Sequence, residues 1–459
     1  MKMYYNVEDK PKFGQLIVFA IQQLLAIMAA TLVVPVIIGN GMSSAAALFG
    51  AGVGTLVYVL FTAKKSPVFL GSSFAFIGSM FAAFAGGVSM ALGYVGLILG
   101  AVFAGLVYVI IAIIVKFAGV GWINKLMPPV VIGPTVAIIG LSLAGNAVGD
   151  LQKGGVLDAE GNSVANVLLC VLVGIITLIV TMLCSTYGKK TAKLIPFIFG
   201  ILAGYAVALI FTVIGNAADV EALKLINFGN FTALVSGGVS LETFVSVPDF
   251  TFLTAFGGLK ELNASYVGTI AVAYVPVAFV VFAEHIADHK NISSIIEKDL
   301  LEEPGLHRTL LGDGIGSMVG AFFGGCPNTT YGESVACVAI TRNASVATII
   351  AAAFGAIIVS FVNPFVAFVN SIPACVMGGV CMALYGFIAV SGLKMVQKVD
   401  LNENKNLFVV SAILIAGIGG LSLTFGKITL TAVATSLILG IIVNLILSGK
   451  KEEVNETEK

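Results

Sequence analysis

Apolar residues in this chain come in unbroken runs rather than in stripes. Runs of about 17 to 25 residues, the length that suits a bilayer core roughly 30 Å thick, fall near 16–38, 45–62, 92–115, 129–147, 166–184 and 194–215. A second set falls near 268–287, 309–323, 345–369, 374–393, 406–424 and 429–448. Each predicts a membrane-spanning helix. Two further stretches, 66–87 (SPVFLGSSFAFIGSMFAAFAGG) and 324–342 (GGCPNTTYGESVACVAITR), are apolar only in part. Each opens with Pro, Gly and hydroxyl residues that cannot continue a helix, so each is expected to cross as an extended piece joined to a half-helix.

Composition agrees with this pattern. The chain is 58% apolar and 10% charged, too few charges to cover a water-facing surface, which excludes a soluble globular domain and a disordered chain. Runs that recur from end to end also argue against a soluble enzyme on one anchor. The first run, Leu16 to Ile38, is too long for a signal-peptide core and is expected to stay as the first transmembrane helix. With fourteen crossings and the N-terminus inside, all of the 24 Lys and Arg except Lys153, Lys224, Lys260 and Lys427 fall in cytoplasmic segments. That is the asymmetry the positive-inside rule requires, and dropping either broken crossing would spoil it. Both termini are therefore expected in the cytoplasm of a multi-pass cell-membrane protein.

The broken segments are the third crossing of the first seven and the third of the second seven. Seven is odd, so the two halves must be inverted repeats, an all-α polytopic fold. Pro128 to Gly133 and Pro373 to Gly378 open corresponding later helices, and an extracellular linker, about 216–265, joins the halves without a strong pattern. The six cysteines (Cys170, Cys184, Cys326, Cys337, Cys375, Cys381) have no metal-ligand spacing and at least five of them read as small buried hydrophobes, so no metal is expected.

Paired broken crossings point to a transporter's binding site, because unwound backbone at mid-membrane is tolerated only where it lines a cavity. The half-helices should begin near Ser72 to Phe74 and Gly332 to Ser334, offering their first N–H groups to a carbonyl oxygen or an anion. Ser72, Ser73, Thr329 and Thr330 either face the site or cap these helices. Glu284, deep in YVPVAFVVFAEHIADHK, and Glu333, in the second broken segment, are costly at that depth, about 2.5–3.5 kcal/mol on insertion scales, and are read as functional. Asp288 lies one helical turn from Glu284, and Asp313 sits in the short crossing before the second broken segment. No base needs to be placed at mid-depth, so an anionic substrate is disfavoured.

Two carboxyl groups in a low-dielectric cavity repel when both are ionised, so at least one takes up a proton. A protonated carboxyl presents an O–H donor beside a C=O acceptor, matching the N–H and C=O edge of a lactam or imide. The site reads as one for a neutral polar solute moved with a proton. His285 points about 100° away from Glu284 and is a candidate proton relay, whereas His289 and His307 flank a charged loop and are expected to be solvated. Trp122, near Lys116 and Lys125, reads as an interfacial anchor. Phe74, Phe76 and Tyr331 flank the half-helix starts, where a ring could stack on a planar ligand, though packing is the simpler reading for Phe76.

GSSFAF (71–76), AEHIADH (283–289), DLLEEPGLHR (299–308) and PNTTYGESVACVAITR (327–342) resemble the uracil permease branch of the nucleobase-ascorbate transporter family, also called nucleobase/cation symporter 2, over essentially the whole chain. The resemblance implies fourteen crossings, with a core domain (1–125 and 265–370), a gate domain (126–216 and 371–448), the linker (217–264) and a cytoplasmic tail (449–459). It also implies proton-coupled nucleobase uptake and a homodimer formed through the gate. Carried onto this sequence, the substrate-site acids fall on Glu284 and Glu333, and the amides that meet the base's carbonyls fall at Phe74 and Gly332, with Tyr331 beside them. Ser73 is counted with these substrate-binding residues, and Asp288 joins the two glutamates in proton handling. Two positions depart from the family's uracil branch: Asp288 stands where a histidine is found, and Gln22 and Gln23 where a Gln-His pair is.

The expected function is proton-driven uracil import by alternating access, with the proton as coupling ion, no other cofactor and no nucleic-acid partner. A xanthine or purine symporter of the same family is the alternative within transport, and a passive channel for neutral polar solutes the alternative outside it. A sulfate-type anion transporter conflicts with acids in the site. An intramembrane hydrolase lacks a nucleophile or metal set.

Overall fold

Long apolar runs fold as helices because a helix pairs its own interior N–H and C=O groups, which nothing in hydrocarbon would do for it. A computed structural model describes residues 3–119, 122, 128–189, 191–425 and 428–448. The first half runs α1 (Phe13–Ile38), α2 (Ser44–Phe61), β1 (Leu70–Ser72), a 3-10 turn (Phe74–Phe76) leading into α3 (Ile77–Ala83), and α4 (Met90–Ala118). It continues with α5 (Pro129–Ser142, extended by Ala144–Asp150), α6 (Val167–Tyr187) and α7 (Pro196–Ala218). The second half runs α8 (Ala264–Ile296), α9 (Leu306–Gly324), β2 (Asn328–Thr330), α10 (Gly332–Thr341) and α11 (Val346–Ser360), then α12 (Ala374–Val396), α13 (Asn404–Ile418) and α14 (Ala432–Ser448). Among the described residues, eight helices are long and apolar enough to cross a membrane. The chain is a mostly helical multi-pass membrane protein.

Three stretches differ from the sequence reading. The run 345–369 is not one helix: α11 stops at Ser360 and a separate helix, Asn363–Ser371, starts with Pro364 in its first turn. Inside a continuous helix that proline ring would clash with the carbonyl of Ser360. Between α13 and α14 the chain forms an antiparallel hairpin, Leu423–Phe425 with Ile428–Leu430, because Gly419 and Gly420, the latter at φ +72°, end α13 early. The linker holds short helices at Gly229–Val235, Leu241–Phe244 and Thr251–Gly258. Their length is below what hydropathy alone detects. Lys2, Lys125, Lys190, Lys427 and the tail 449–459 lie outside the described residues.

The two extended pieces find each other. β1 and β2 pair antiparallel with Leu70 opposite Thr330, Gly71 opposite Thr329 and Ser72 opposite Asn328. Side chains satisfy what this two-stranded ladder leaves over. Thr55 Oγ1 on α2 accepts from Leu70 N at 2.9 Å, Asn328 Nδ2 donates to Gly50 O at 3.0 Å, and Tyr331 Oη donates to Ser72 O at 2.6 Å. Ser334 Oγ accepts from Phe69 N at 2.9 Å and from Gln23 Nε2 of α1 at 2.5 Å, which ties the two broken segments to the first helix. Gly71 is required here, since the ring of Tyr331 lies where a Cβ would be.

Packing separates the helices into two groups. In one, α2 lies on α9 and α11, α9 on α4, α8 on α4 and α3, and α1 on α11 and α10. In the other, α12 lies on α5, α6 and α7, α5 on α13 and α14, α6 on α7, and α13 on α14. Small residues bring the backbones together, as expected where lipid leaves no hydrophobic drive between helices. A Cβ on Gly54 of α2 would sit 2.7 Å from the Gly316 carbonyl oxygen of α9, and one on Gly392 of α12 would sit 2.5 Å from that of Gly133 on α5.

Candidate functional site

The half-helices start where the sequence places them, at Phe74 and Gly332, and both starts open on one cavity of about 420 Å³ between the two helix groups. One wall carries Ser73, Phe74, Ala75, Glu284, Asp288 and Thr329 to Glu333; the other carries Val136, Ile139, Phe197, Leu384, Phe387 and Ile388. The carboxyl groups therefore come from one group of helices, and the other supplies a mostly apolar face. The volume suits a small solute. Lys193, Ser185, Ser391 and Met395 also line it.

Glu284, Asp288 and Glu333 all reach this cavity, so the acids picked out by depth converge although they come from two elements. Asp288 does not merely mark a helix boundary: its Oδ2 accepts from Thr330 Oγ1 at 2.9 Å, locking α8 to the end of β2. Gly332 and Glu333 open α10, so their N–H groups have no acceptor within the helix and carry its positive end. At neither half-helix does an N-cap side chain accept a hydrogen bond: Ser73 and Tyr331 hold the cap positions, and neither makes one. Pro327 O accepts from Ser73 N at 2.9 Å. Phe74 meets Tyr385 of α12 edge-on at 6.0 Å, whereas Phe76 is buried and stacked on Tyr274 at 5.5 Å and does not line the cavity. Among the described residues no group of three or more His, Cys, Asp or Glu could hold a metal ion.

A sequence profile described as a permease family matches residues 14–426. The chain belongs to this permease family. It is 38% identical to the uracil permease of Bacillus caldolyticus over 98% of its own length and 96% of that protein's. With the uracil permease of Escherichia coli (strain K12) it shares 36% identity, over 96% of its length and 93% of the relative's. Among solved structures, the transmembrane domain of the cyanobacterial bicarbonate transporter BicA superposes with a TM-score of 0.63 at 14% identity, covering 96% of this chain and 100% of that one. The inward-facing murine solute carrier 26 family member A9 anion transporter gives 0.62 at 10% identity, covering 96% of this chain and 69% of that one. These two share the fold.

His289 differs from the sequence reading. His289 is not solvated but fully buried, with Nε2 2.7 Å from Tyr58 Oη and Nδ1–H donating to His285 O at 2.8 Å. α8 runs a further two turns past the apolar stretch and carries His289 inside the bundle. His307 is half-buried. His285 turns away from the cavity and meets Asp313. Trp122 is half-buried and packs on the apolar core, its indole N–H without a partner among the described residues. Five cysteines are buried and Cys184 is partly so. Sequence reasoning missed the Gln23–Ser334 bond and Lys193 in the cavity lining. A buried amide in the first run was the available signal for Gln23; for Lys193 there was none.

Proposed function

We propose that this permease imports uracil across the cell membrane with a proton, by alternating access. The observation that carries the reading is the convergence of Glu284, Glu333 and the start of α10 on one cavity between two packed groups of helices. Glu284 and the amides near Phe74 and Gly332 hold the N–H and C=O edge of the base. Glu333 carries or senses the proton, Asp288 assists it through Thr330, and Ser73 and Tyr331 border the ring. The names of the full-length relatives favour uracil among nucleobases. The acids in the cavity would repel an inorganic anion.

The fourteen-crossing inverted repeat belongs to this proposal, with α1 to α4 and α8 to α11 as core and the other six helices as gate. Packing supports it: exchanging each helix for the one seven places on turns α2 on α11 into α9 on α4, α8 on α4 into α1 on α11, and α12 on α6 into α5 on α13. A second cavity of about 220 Å³, lined by Gly78, Ser142, Asn146 and Thr431, shares Phe74, Ala75 and Ile139 with the first. These shared residues form the septum between the two access routes. On the lysine topology, the larger cavity faces the cytoplasm.

Labelled uracil uptake with each unlabelled base as competitor tests the substrate. Uracil is expected to compete fully and xanthine weakly; the reverse order would favour the purine symporter. Accumulation that survives an uncoupler would favour a channel or another driving ion.

A further inference from the structure

A second set of ionisable groups lies behind the cavity, outside the mechanism above. His285 is 1% exposed and so is Asp313. His285 Nδ1 lies 2.6 Å from Asp313 Oδ2 on α9, and its Nε2 lies 3.0 Å from Thr309 Oγ1. The Thr309 hydroxyl has another acceptor, the Leu306 carbonyl, also at 3.0 Å. The titratable groups facing this pair are Tyr58 from α2, Tyr108 from α4 with its ring 6.1 Å from that of His285, and Glu284, Asp288 and His289 on α8 itself.

Counting hydrogens shows what the geometry permits. With a carboxylate and a neutral imidazole, Nδ1–H donates to Asp313 and the Thr309 O–H donates to Nε2. With one more proton on the pair, whichever partner holds it, Nε2–H donates to Thr309 Oγ1 and the Thr309 O–H swings to the Leu306 carbonyl. Every donor has an acceptor in both states, and no heavy atom moves. The other carboxyl oxygen, Asp313 Oδ1, is buried without a partner among the described residues, as are Tyr108 Oη and Asn328 Oδ1. All three residues line one cavity of about 10 Å³, room for a single water. One water matches the set, donating to Asp313 and Asn328 and accepting from Tyr108. Asn328 belongs to β2, two residues before Thr330, which holds Asp288.

We propose that the His285–Asp313 pair is a second proton-binding site, separate from the substrate cavity and linked to it through β2 by one water bound among Asp313, Tyr108 and Asn328. The proposal rests on the proton-coupled reading. It assigns Thr309 a positioning role, the hydroxyl whose rotation accommodates either state.

The test uses the full-length permease in proteoliposomes. Asp313→Asn is expected to lower accumulation of labelled uracil driven by a proton gradient about tenfold or more, while gradient-free uracil counterflow and the Kd stay within about threefold. Thr309→Val keeps the shape but removes the hydroxyl, and is expected to move the pH of half-maximal uptake with the Kd unchanged. Accumulation by Asp313→Asn equal to wild type would overturn the proposal. So would loss of counterflow and binding together with accumulation, since that marks a purely structural role, and so would an unmoved pH profile in Thr309→Val. Wild-type protein that accumulates nothing against a gradient would instead remove the proton-coupled reading itself.

Discussion

Glu284 and Glu333 were legible because a carboxyl group is expensive at membrane depth, about 2.5–3.5 kcal/mol on insertion scales, and a chain keeps one there for a reason. Both open on the cavity. Glu284→Ala removes the group proposed to hold the base edge, so the Kd for uracil should rise at least about a hundredfold, measurable by calorimetry on the purified protein. An unchanged Kd would refute that assignment. Asp288 was ambiguous in the sequence because its partner lies in β2, far along the chain, and no local pattern announces the 2.9 Å bond from Thr330. Thr330→Val leaves a carboxylate short of a donor, a loss of about 1–3 kcal/mol, and should weaken uracil binding about tenfold in the same assay. His289 was misread for a related reason. Its neighbours in sequence are charged, but Tyr58 and His285 enclose it in space.

At the scale of elements, hydropathy marks where apolar segments lie and Pro, Gly and hydroxyl residues mark where they break, so the two interrupted segments are legible in the sequence. Their antiparallel pairing is not, because it joins residues 70–72 to residues 328–330 and depends on α2 bringing Thr55 and Gly50 against them. Nor is the break after Ser360, where one proline outweighs a long apolar run. Glycine contacts between helices are a checkable consequence of the packing. Gly54→Leu forces a side chain onto the Gly316 carbonyl oxygen, and overpacking of this kind costs about 1–3 kcal/mol, so the detergent-solubilised variant should melt at clearly lower temperature than wild type. Gly145→Ala, with nothing within 4 Å of the added carbon, should melt with wild type.

At the scale of the whole molecule, two helix groups enclose a cavity with carboxyl groups on one side and a mostly apolar wall on the other, and Phe74, Ala75 and Ile139 line both this cavity and the second one. The proposed repeat was read from the lysines and from the position of the broken segments; the residues shared by the two cavities were not, since they come together only when the groups meet. The outward faces of α6 and α7 are strongly apolar, with Leu168 and Ile210 exposed, and the proposed gate-mediated homodimer predicts a two-chain mass by native mass spectrometry in mild detergent. The central claim is that a proton drives uracil through the cavity held by Glu284 and Glu333. Labelled uracil uptake into proteoliposomes, with an imposed proton gradient and with that gradient collapsed, tests it most directly. Wild type should accumulate uracil above the external concentration only with the gradient, and Glu333→Gln, which keeps shape and hydrogen bonding but cannot titrate, should equilibrate without accumulating. Uphill uptake by Glu333→Gln equal to that of wild type would contradict the account.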